Sequence, residues 1–273
     1  MAESYSESAA EADEPFLNDR KLKLMGIAIS GTFAFAVAAL LAAVIVLQVD
    51  FGLFVEIVYP QFVDAFVIVL RIVLISSVLS VIAGMLVGLG RVSETRFTRA
   101  ISTGYIEFFR GTPLLFQLIV IYVGVPAFWP PGTFPISDFS VPAAIIGLTL
   151  NHAAYIGEAI RGGIGAVPDG QMEAARSLGM SYVQSMREVV LPQAWRNALA
   201  AIGNDQVILV KDTSLLSVLA VPELISTFQE VNSATFDPWT PIVLVAILYL
   251  VITVPLGKLV RYLEVRADPA GSQ

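Results

Sequence analysis

Two stretches of the sequence place polar and charged groups where the neighbouring residues are apolar. In the first, Asn151, Tyr155 and Glu158 are spaced by four and three, so they share one face of a helix. In the second, Asn204, Asp205, Gln206, Lys211, Asp212, Thr213 and Ser214 interrupt an otherwise hydrophobic run. Asn204 and Lys211 are seven apart, as are Asp205 and Asp212, which makes one adjoining polar stripe. Groups of this kind in apolar surroundings can neutralise one another as buried pairs, or they can line a path and hold a polar solute. Both accounts fit the sequence, and Glu158 carries the same choice because Arg161 lies one turn away. The means for covalent or metal chemistry are scarce. There is no cysteine, and the one histidine, His152, reads as a packed, hydrogen-bonded residue rather than a metal ligand. Ser214, or the pair Asp205 and Asp212, would be the candidates of an intramembrane enzyme, but neither has a partner motif. No G-x-x-x-x-G-K-[ST] occurs, and Gly257-Lys258 runs into Leu259 with no upstream glycine, so the chain has no phosphate cradle of its own.

The elements that must position these residues follow from composition. Of 273 residues, 56% are hydrophobic and 14% charged, against roughly 25% charged in a soluble domain. That excludes disorder, a coiled coil and an ordinary cytosolic enzyme as readings of the whole chain. A net charge of −7 argues against a nucleic-acid partner. Crossing a bilayer takes about 20 apolar helical residues, and six segments qualify, near 24–49, 65–90, 112–129, 142–160, 198–221 and 241–260. The expected fold is therefore an all-α integral membrane protein with six transmembrane helices. The first segment is too long for a secretory signal of about 7–15 apolar residues and reads as a retained helix. Glycines 84 and 88 form a small-xxx-small pair suited to close helix packing.

Basic residues orient the spans. Fourteen of the sixteen fall in Arg20–Lys23, in the connection holding Arg91, Arg96, Arg99 and Arg110, in the one holding Arg161, Arg176, Arg187 and Arg196, and after the last span at Lys258, Arg261 and Arg266. All of these lie on one side of the expected topology, and acids such as Asp64, Asp138, Glu223, Glu230 and Asp237 lie on the other. Positive charge in short loops stays in the cytoplasm, so both termini are expected there. Arg71, near the start of span two, fits a side chain snorkelling to the outer interface. Lys211 sits mid-span and has no such escape. The net charge itself resides mainly in residues 1–19, with six acids and no base, and residues 1–23 read as a disordered acidic cytoplasmic tail.

The connection Ala166–Pro192 is a long polar insert. Pro168 and Asp169 signal a helix start and Gly179 suits a left-handed helix end. Ser181 with Gln184 makes a capping box for a second short helix that places Val183, Met186 and Val190 on one face and is expected to stop at Pro192. A membrane-surface hairpin would carry a Lys/Arg-rich face. Here acids and bases nearly cancel, which favours docking of a soluble protein. After Pro222, Leu224, Ile225, Phe228 and Val231 mark one face of another short helix, readable as part of an outer gate, as the seat of a binding protein, or as an interfacial helix.

Four ordered blocks carry a family resemblance. Glu173-Ala174-Ala175, Gly179, Val189, Leu191 and Pro192 match the EAA loop of ABC importer permeases, with Val189 where isoleucine is the commoner residue. Tyr105-Ile-Glu-Phe-Phe-Arg-Gly-Thr-Pro-Leu-Leu-Phe-Gln117, Asn151-His-Ala-Ala-Tyr155-Ile-Gly-Glu158 and Lys211-Asp-Thr-Ser-Leu-Leu216 are similar to the polar amino acid branch of that family. The resemblance implies a five-helix permease core over residues 61–265, preceded by an extra transmembrane helix at 24–49 and followed by a cytoplasmic tail at 266–273. It further implies a plasma-membrane permease subunit that imports polar amino acids by alternating access. Glu173, Ala174, Ala175, Gly179, Leu191 and Pro192 would dock a cytosolic ATPase dimer that binds the ATP and Mg, so the chain itself is no enzyme and holds no cofactor. A second permease subunit, identical or related, and an extracytoplasmic solute-binding protein complete the implied assembly within the bilayer. An amino acid zwitterion needs an acid for its ammonium, for which Glu158 or Asp205 could serve, and donors for its carboxylate, for which Lys211 and Thr213 could serve. Asn151 and Tyr155 share that substrate path. The competing reading is a stand-alone secondary carrier or channel, whose inverted repeats and paired broken helices are not visible.

Overall fold

The computed structural model describes residues 19–267, and among them every regular element is helical. The N-terminal acidic stretch and the end of the C-terminal tail lie outside the described residues. The chain divides into two compact units at Asp50/Phe51. The described part of the first is helix α1, Asp19–Gln48, whose sequence is uncharged from Leu24 onward. Its thirty residues exceed the roughly 20 needed to cross the hydrocarbon core.

The second unit begins with Phe51–Leu53 and a π-helical turn, Phe54–Val58, which run into the long helix α2, Tyr59–Arg91. Helix α3, Arg96–Gly111, and α4, Leu114–Ile119, come next, and a π turn (Val120–Gly124) and a short 3-10 turn (Pro126–Phe128) extend α4. Helix α5 is Ser140–Gly165. A hairpin of α6 (Asp169–Ser177) and α7 (Tyr182–Ser185) follows it. The π turn Met186–Val190 then joins α8, Leu191–Asp212, whose end tightens into the 3-10 segment Thr213–Leu219. Helices α9, Leu224–Thr235, and α10, Trp239–Ala267, close the unit.

Among the described residues, four helices are long and apolar enough to span a membrane: α1, Phe51–Arg91, α5 and α10. The bent pair Arg96–Gly111 with Leu114–Phe128, angled by 104°, adds a fifth if taken as one broken span. Helix α8, where the fifth expected span lies, is the exception. It carries Arg196, Asp205, Lys211 and Asp212, so its own composition does not mark it as a lipid-facing helix.

Lipid is as apolar as leucine, so membrane helices associate through close contact rather than through the hydrophobic effect. The α2–α5 crossing shows how. A Cβ added at Gly84 would stand 2.6 Å from Ile156 Cβ and 3.0 Å from the Ala153 carbonyl, and one at Gly88 would stand 2.8 Å from the Gly157 carbonyl. The expected small-xxx-small pair is thus the seam on which α5 lies. Gly163 plays the same part where α5 meets Ala194 and Ala198 of α8, and Gly203 where α8 meets Val260 of α10. Helix α5 is consequently buried on several sides and α8 is wedged between α5 and α10.

Helix α9 packs Leu224 and Val231 against Val58, Phe62 and Leu244, with Ile225 and Phe228 at the margin of the same cluster. The apolar face read from the sequence therefore covers α2 and α10.

Candidate functional site

The cavity that gathers the intramembrane polar groups begins at a break in the chain. Helix α3 stops at Gly111 because Pro113 has no N–H to continue the ladder and disfavours helical backbone in the residue before it. Thr112 is accordingly extended, with ψ of 146°. Carbonyls freed at such a break need new donors when buried at membrane depth. Gln117 supplies them: its Nε2 donates to the carbonyls of Phe109 at 2.9 Å and Thr112 at 3.0 Å, and to Thr112 Oγ1 at 2.8 Å. Asn151 of α5 donates in turn to Gln117 Oε1 at 3.0 Å and to the Phe109 carbonyl at 3.2 Å. Tyr105 Oη donates to the Leu150 carbonyl at 2.6 Å. The broken helix is thereby pinned to α5.

Beside the break lies an open cavity of about 450 Å³ bounded by Arg110–Leu114, Asn151, His152, Tyr155, Asp205, Ile208 and Asp212. His152 is buried and bridges two carboxylates of α8. Its Nδ1 lies 3.1 Å from both oxygens of Asp205, and its Nε2 lies 3.4 Å from Asp212 Oδ2. Asp205 is buried, while the Asp212 side chain is 29% exposed toward the cavity. The cluster sets two carboxylates against a single imidazole, so its acidic groups outnumber its basic one. Arg110 adds the opposite sign to the same lining, its guanidinium 5.3 Å from the centre of the Tyr155 ring, within cation–π range. The cavity lining therefore holds both carboxylates and a guanidinium.

The structure separates the six substrate-path residues. Asn151, Tyr155 and Asp205 line this one cavity. Glu158 lies next to it and binds Arg161 through Nε and Nη2 at 2.6–2.9 Å, with Arg110 at 4.0 Å, which is the pairing alternative. Thr213 is buried, donates to the Val210 carbonyl at 2.7 Å and stands 3.4 Å from Tyr249 Oη. Lys211 points to a different groove, between α8 and α10, with Asn204, Lys258, Arg261 and Glu264. His152, Asp212 and Arg110 are the functional candidates that sequence reasoning underrated. The Arg110-Gly-Thr-Pro run carried the signal for the break, and the seven-residue spacing of Asp205 and Asp212 carried the signal for a shared bridge.

The Ala166–Pro192 hairpin has the local geometry its sequence specifies. Gly179 sits at φ of +86°. Met180 N–H donates to Ala175 and Gly179 N–H to Arg176, the double bond pattern of a Schellman end. The capping box is complete, with Gln184 N–H donating to Ser181 Oγ at 3.2 Å and Ser181 N–H to Gln184 Oε1 at 2.9 Å. One expectation fails: the chain does not stop at Pro192. The π turn Met186–Val190 carries the helix into α8, and Pro192 occupies a first-turn position, where its missing N–H is of no consequence. The expected single face also splits. Met186 and Val190 pack with Val167, Met172 and Ala194, whereas Val183 is 70% exposed. Leu178 is 81% exposed, and Glu173 and Ala174 are exposed beside it, while Ala175 is buried. The hairpin is closed by its own hydrogen bonds and leaves apolar side chains uncovered.

Residues 80–269 match the family described as binding-protein-dependent transport system inner membrane component. The chain is similar to the arginine transport system permease protein ArtQ of Bacillus subtilis, 33% identical over 205 residues that cover 75% of this chain and 91% of that one. It is also similar to the histidine/lysine/arginine/ornithine transport system permease protein HisM of Salmonella typhimurium, 36% identical over 203 residues, 73% and 86% of the two chains. Among solved structures, an amino acid ABC transporter crystallised with histidines superposes with a TM-score of 0.72 at 34% identity, covering 81% of this chain and all of that one. The MetNI methionine transporter in an inward-facing form, 20% identical with a TM-score of 0.61 over 76% of this chain and 98% of that one, shares the fold.

Proposed function

Because the chain belongs to the family of binding-protein-dependent transport system inner membrane components, as a permease subunit of an ABC importer, we propose that it carries polar amino acids through the cavity between α3, α5 and α8. The observation that carries this reading is the presence of both charge signs in one cavity lining, Arg110 together with the Asp205–His152–Asp212 cluster. A zwitterion presents a carboxylate and an ammonium a few ångströms apart, and each finds its counter-charge there. Partly dehydrated walls strengthen both attractions relative to water. The names of the relatives, arginine and histidine/lysine/arginine/ornithine systems among them, support an amino acid as the solute.

The remaining assignments follow the same reading. The chain spans the membrane six times, with α8 completing the set by keeping its charged side against protein and cavity rather than lipid. Both termini face the cytoplasm, as does the α6–α7 hairpin. Residues 61–265 form the permease core and α1 is an addition to it. Glu173, Ala174, Ala175, Gly179, Leu191 and Pro192 shape the surface that receives an ATPase, with exposed Leu178 as its apolar anchor. ATP and Mg belong to that ATPase, and an extracytoplasmic binding protein delivers the solute. The hairpin continues into α8 without a break through the π turn, so a push on α6–α7 is transmitted along α8 to Asp205 and Asp212 by a helix rather than by a flexible loop.

Uptake of radiolabelled amino acids by proteoliposomes of the whole transporter tests the assignment. Arg110→Gln and Asp212→Asn are expected to raise the KM at least tenfold with the complex still assembled. Glu158→Gln and Lys211→Met are expected to change it little. Normal kinetics in the first two variants would overturn the cavity assignment.

A further inference from the structure

The break between α3 and α4 is held by one side chain. Gln117 is 3% exposed and is not among the residues that line the cavity, so it has no surface to offer a solute. Its amide is fully engaged. The two Nε2 hydrogens serve three acceptors within 3.0 Å, the carbonyls of Phe109 and Thr112 and Thr112 Oγ1, while Oε1 accepts from Asn151. Phe109 precedes the break and Thr112 closes it, so a single amide ties together both ends of the segment that contains Arg110 and Gly111. Because Gln117 belongs to α4, the same bonds brace the 104° bend between the two helices. Helix α5 then holds Arg110 at two levels. Asn151 donates to the Phe109 carbonyl, next to Arg110 in the chain, and Tyr155, one turn further along, takes the guanidinium over its ring. The Arg110 side chain still keeps 41% of its surface exposed, with Glu158 4.0 Å away. A charged group already held in place loses less freedom on binding a ligand than one carried by a mobile backbone.

We infer that Gln117 is a positioning residue for transport: it fixes the backbone from Phe109 to Thr112 so that Arg110 presents its guanidinium to the carboxylate of the solute. The inference rests on the reading of this cavity as the solute path, and it goes further by naming the side chain that shapes the path from outside it. A proline break without a dedicated donor leaves its carbonyls to water or to any neighbouring side chain, and the segment can then close in several ways. The Gln117–Asn151 pair selects one. Loss of the Gln117 amide removes no group that lines the cavity, yet it frees the backbone on both sides of Arg110. The effect falls on the affinity for the solute, because the guanidinium is present but no longer held, and not on the rate at saturation.

Amino acid uptake by proteoliposomes of the whole transporter reads this out. Gln117→Met keeps the length of the side chain and removes its hydrogen bonds. It is expected to raise the KM at least fivefold and to leave the maximal rate within twofold. Arg110→Gln supplies the background that separates positioning from packing. In the double variant Arg110→Gln with Gln117→Met, the KM is expected to equal that of Arg110→Gln alone, because no guanidinium is left to position. A merely structural role would multiply the two effects and lower the maximal rate. Gly111→Cys reports on the break itself, since a Cβ there meets nothing within 4 Å and the chain has no native cysteine. Its labelling rate with a water-soluble maleimide is expected to change severalfold when Gln117→Met is added. Should Gln117→Met fail to assemble, Gln117→Asn, which keeps the amide one methylene short of the carbonyls, carries the same measurements. A normal KM in the Gln117 variants beside a raised KM in Arg110→Gln overturns the inference and leaves the cavity reading standing. Multiplied effects in the double variant, or an unchanged labelling rate, overturn it as well. Normal kinetics in Arg110→Gln count against the cavity reading, and the inference falls with it.

Discussion

The α6–α7 hairpin and the α5–α8 cavity are built in opposite ways. Each bend of the hairpin is made by residues within six positions of one another: Gly179 turns the first helix off, and Ser181 with Gln184 starts the second. Its working surface is what is left exposed. The cavity is assembled from groups far apart in the chain, Arg110, His152 and Asp205 among them, and its working surface is what remains after Gln117, Asn151 and His152 have satisfied most of the polar atoms around it. A local device tolerates surface change without losing its fold. A site made of mutually compensating buried groups does not, since removing one member strands the others.

Experiments can break that contrast. The largest effect is expected where α5 meets α8. Gly163→Leu has to displace the Ala194 backbone, and overpacking that cannot relax costs roughly 3 kcal/mol or more. The folded complex should disappear from size-exclusion profiles. Next, His152→Leu leaves two carboxylates facing each other without a bridge, at a cost of about 3–5 kcal/mol. Adding Asp205→Asn and Asp212→Asn should recover much of the melting temperature while uptake stays lost. A triple variant as unstable as the single one would show that His152 acts by packing alone. On the hairpin, Ala174→Arg should leave the melting temperature unchanged and lower both uptake and solute-stimulated ATPase activity more than tenfold. Unfolding by this variant would erase the contrast. Ser181→Ala removes one member of the capping box, worth about 1 kcal/mol, and should loosen α7 in hydrogen exchange without altering the cavity.

The smallest effect concerns Glu223, which caps α9. Burial pushes its carboxyl up to about 7, although the N–H groups of Ile225 and Ser226 pull the other way. A raised carboxyl pKa means the folded state binds its proton more tightly, so stability is fullest below the unfolded value near 4.5 and declines as pH rises toward 7. The melting temperature should fall by a few degrees between pH 5 and pH 8, and Glu223→Gln should flatten that slope.

Much of this was readable in the chain because it depends on neighbours. The apolar segments, the Gly84/Gly88 seam and the capping box are short-range consequences of residue type and period. Pro192 misled in the same local way: a proline ends a helix unless, as here, a π turn shifts it into the first turn of the next one. Glu158, Lys211 and Thr213 show the other limit. Residue type and spacing marked them as polar, but Glu158 pairs with Arg161, Thr213 stands against Val210 and Tyr249, and Lys211 lines a groove beside α10. His152 looked like a packed residue and is one, and the same packing makes it the bridge that sets the charge of the site.

Sequence alone determined that the protein is a bundle of apolar helices interrupted by a capped helical hairpin. These properties are sums over residues or contacts between near neighbours. Only the tertiary structure decided which charges face each other. In a low-dielectric interior that outcome turns on ångström distances between helices α3, α5 and α8, set where Gly163 lets α5 and α8 touch and where Tyr105 and Asn151 tie α3 to α5.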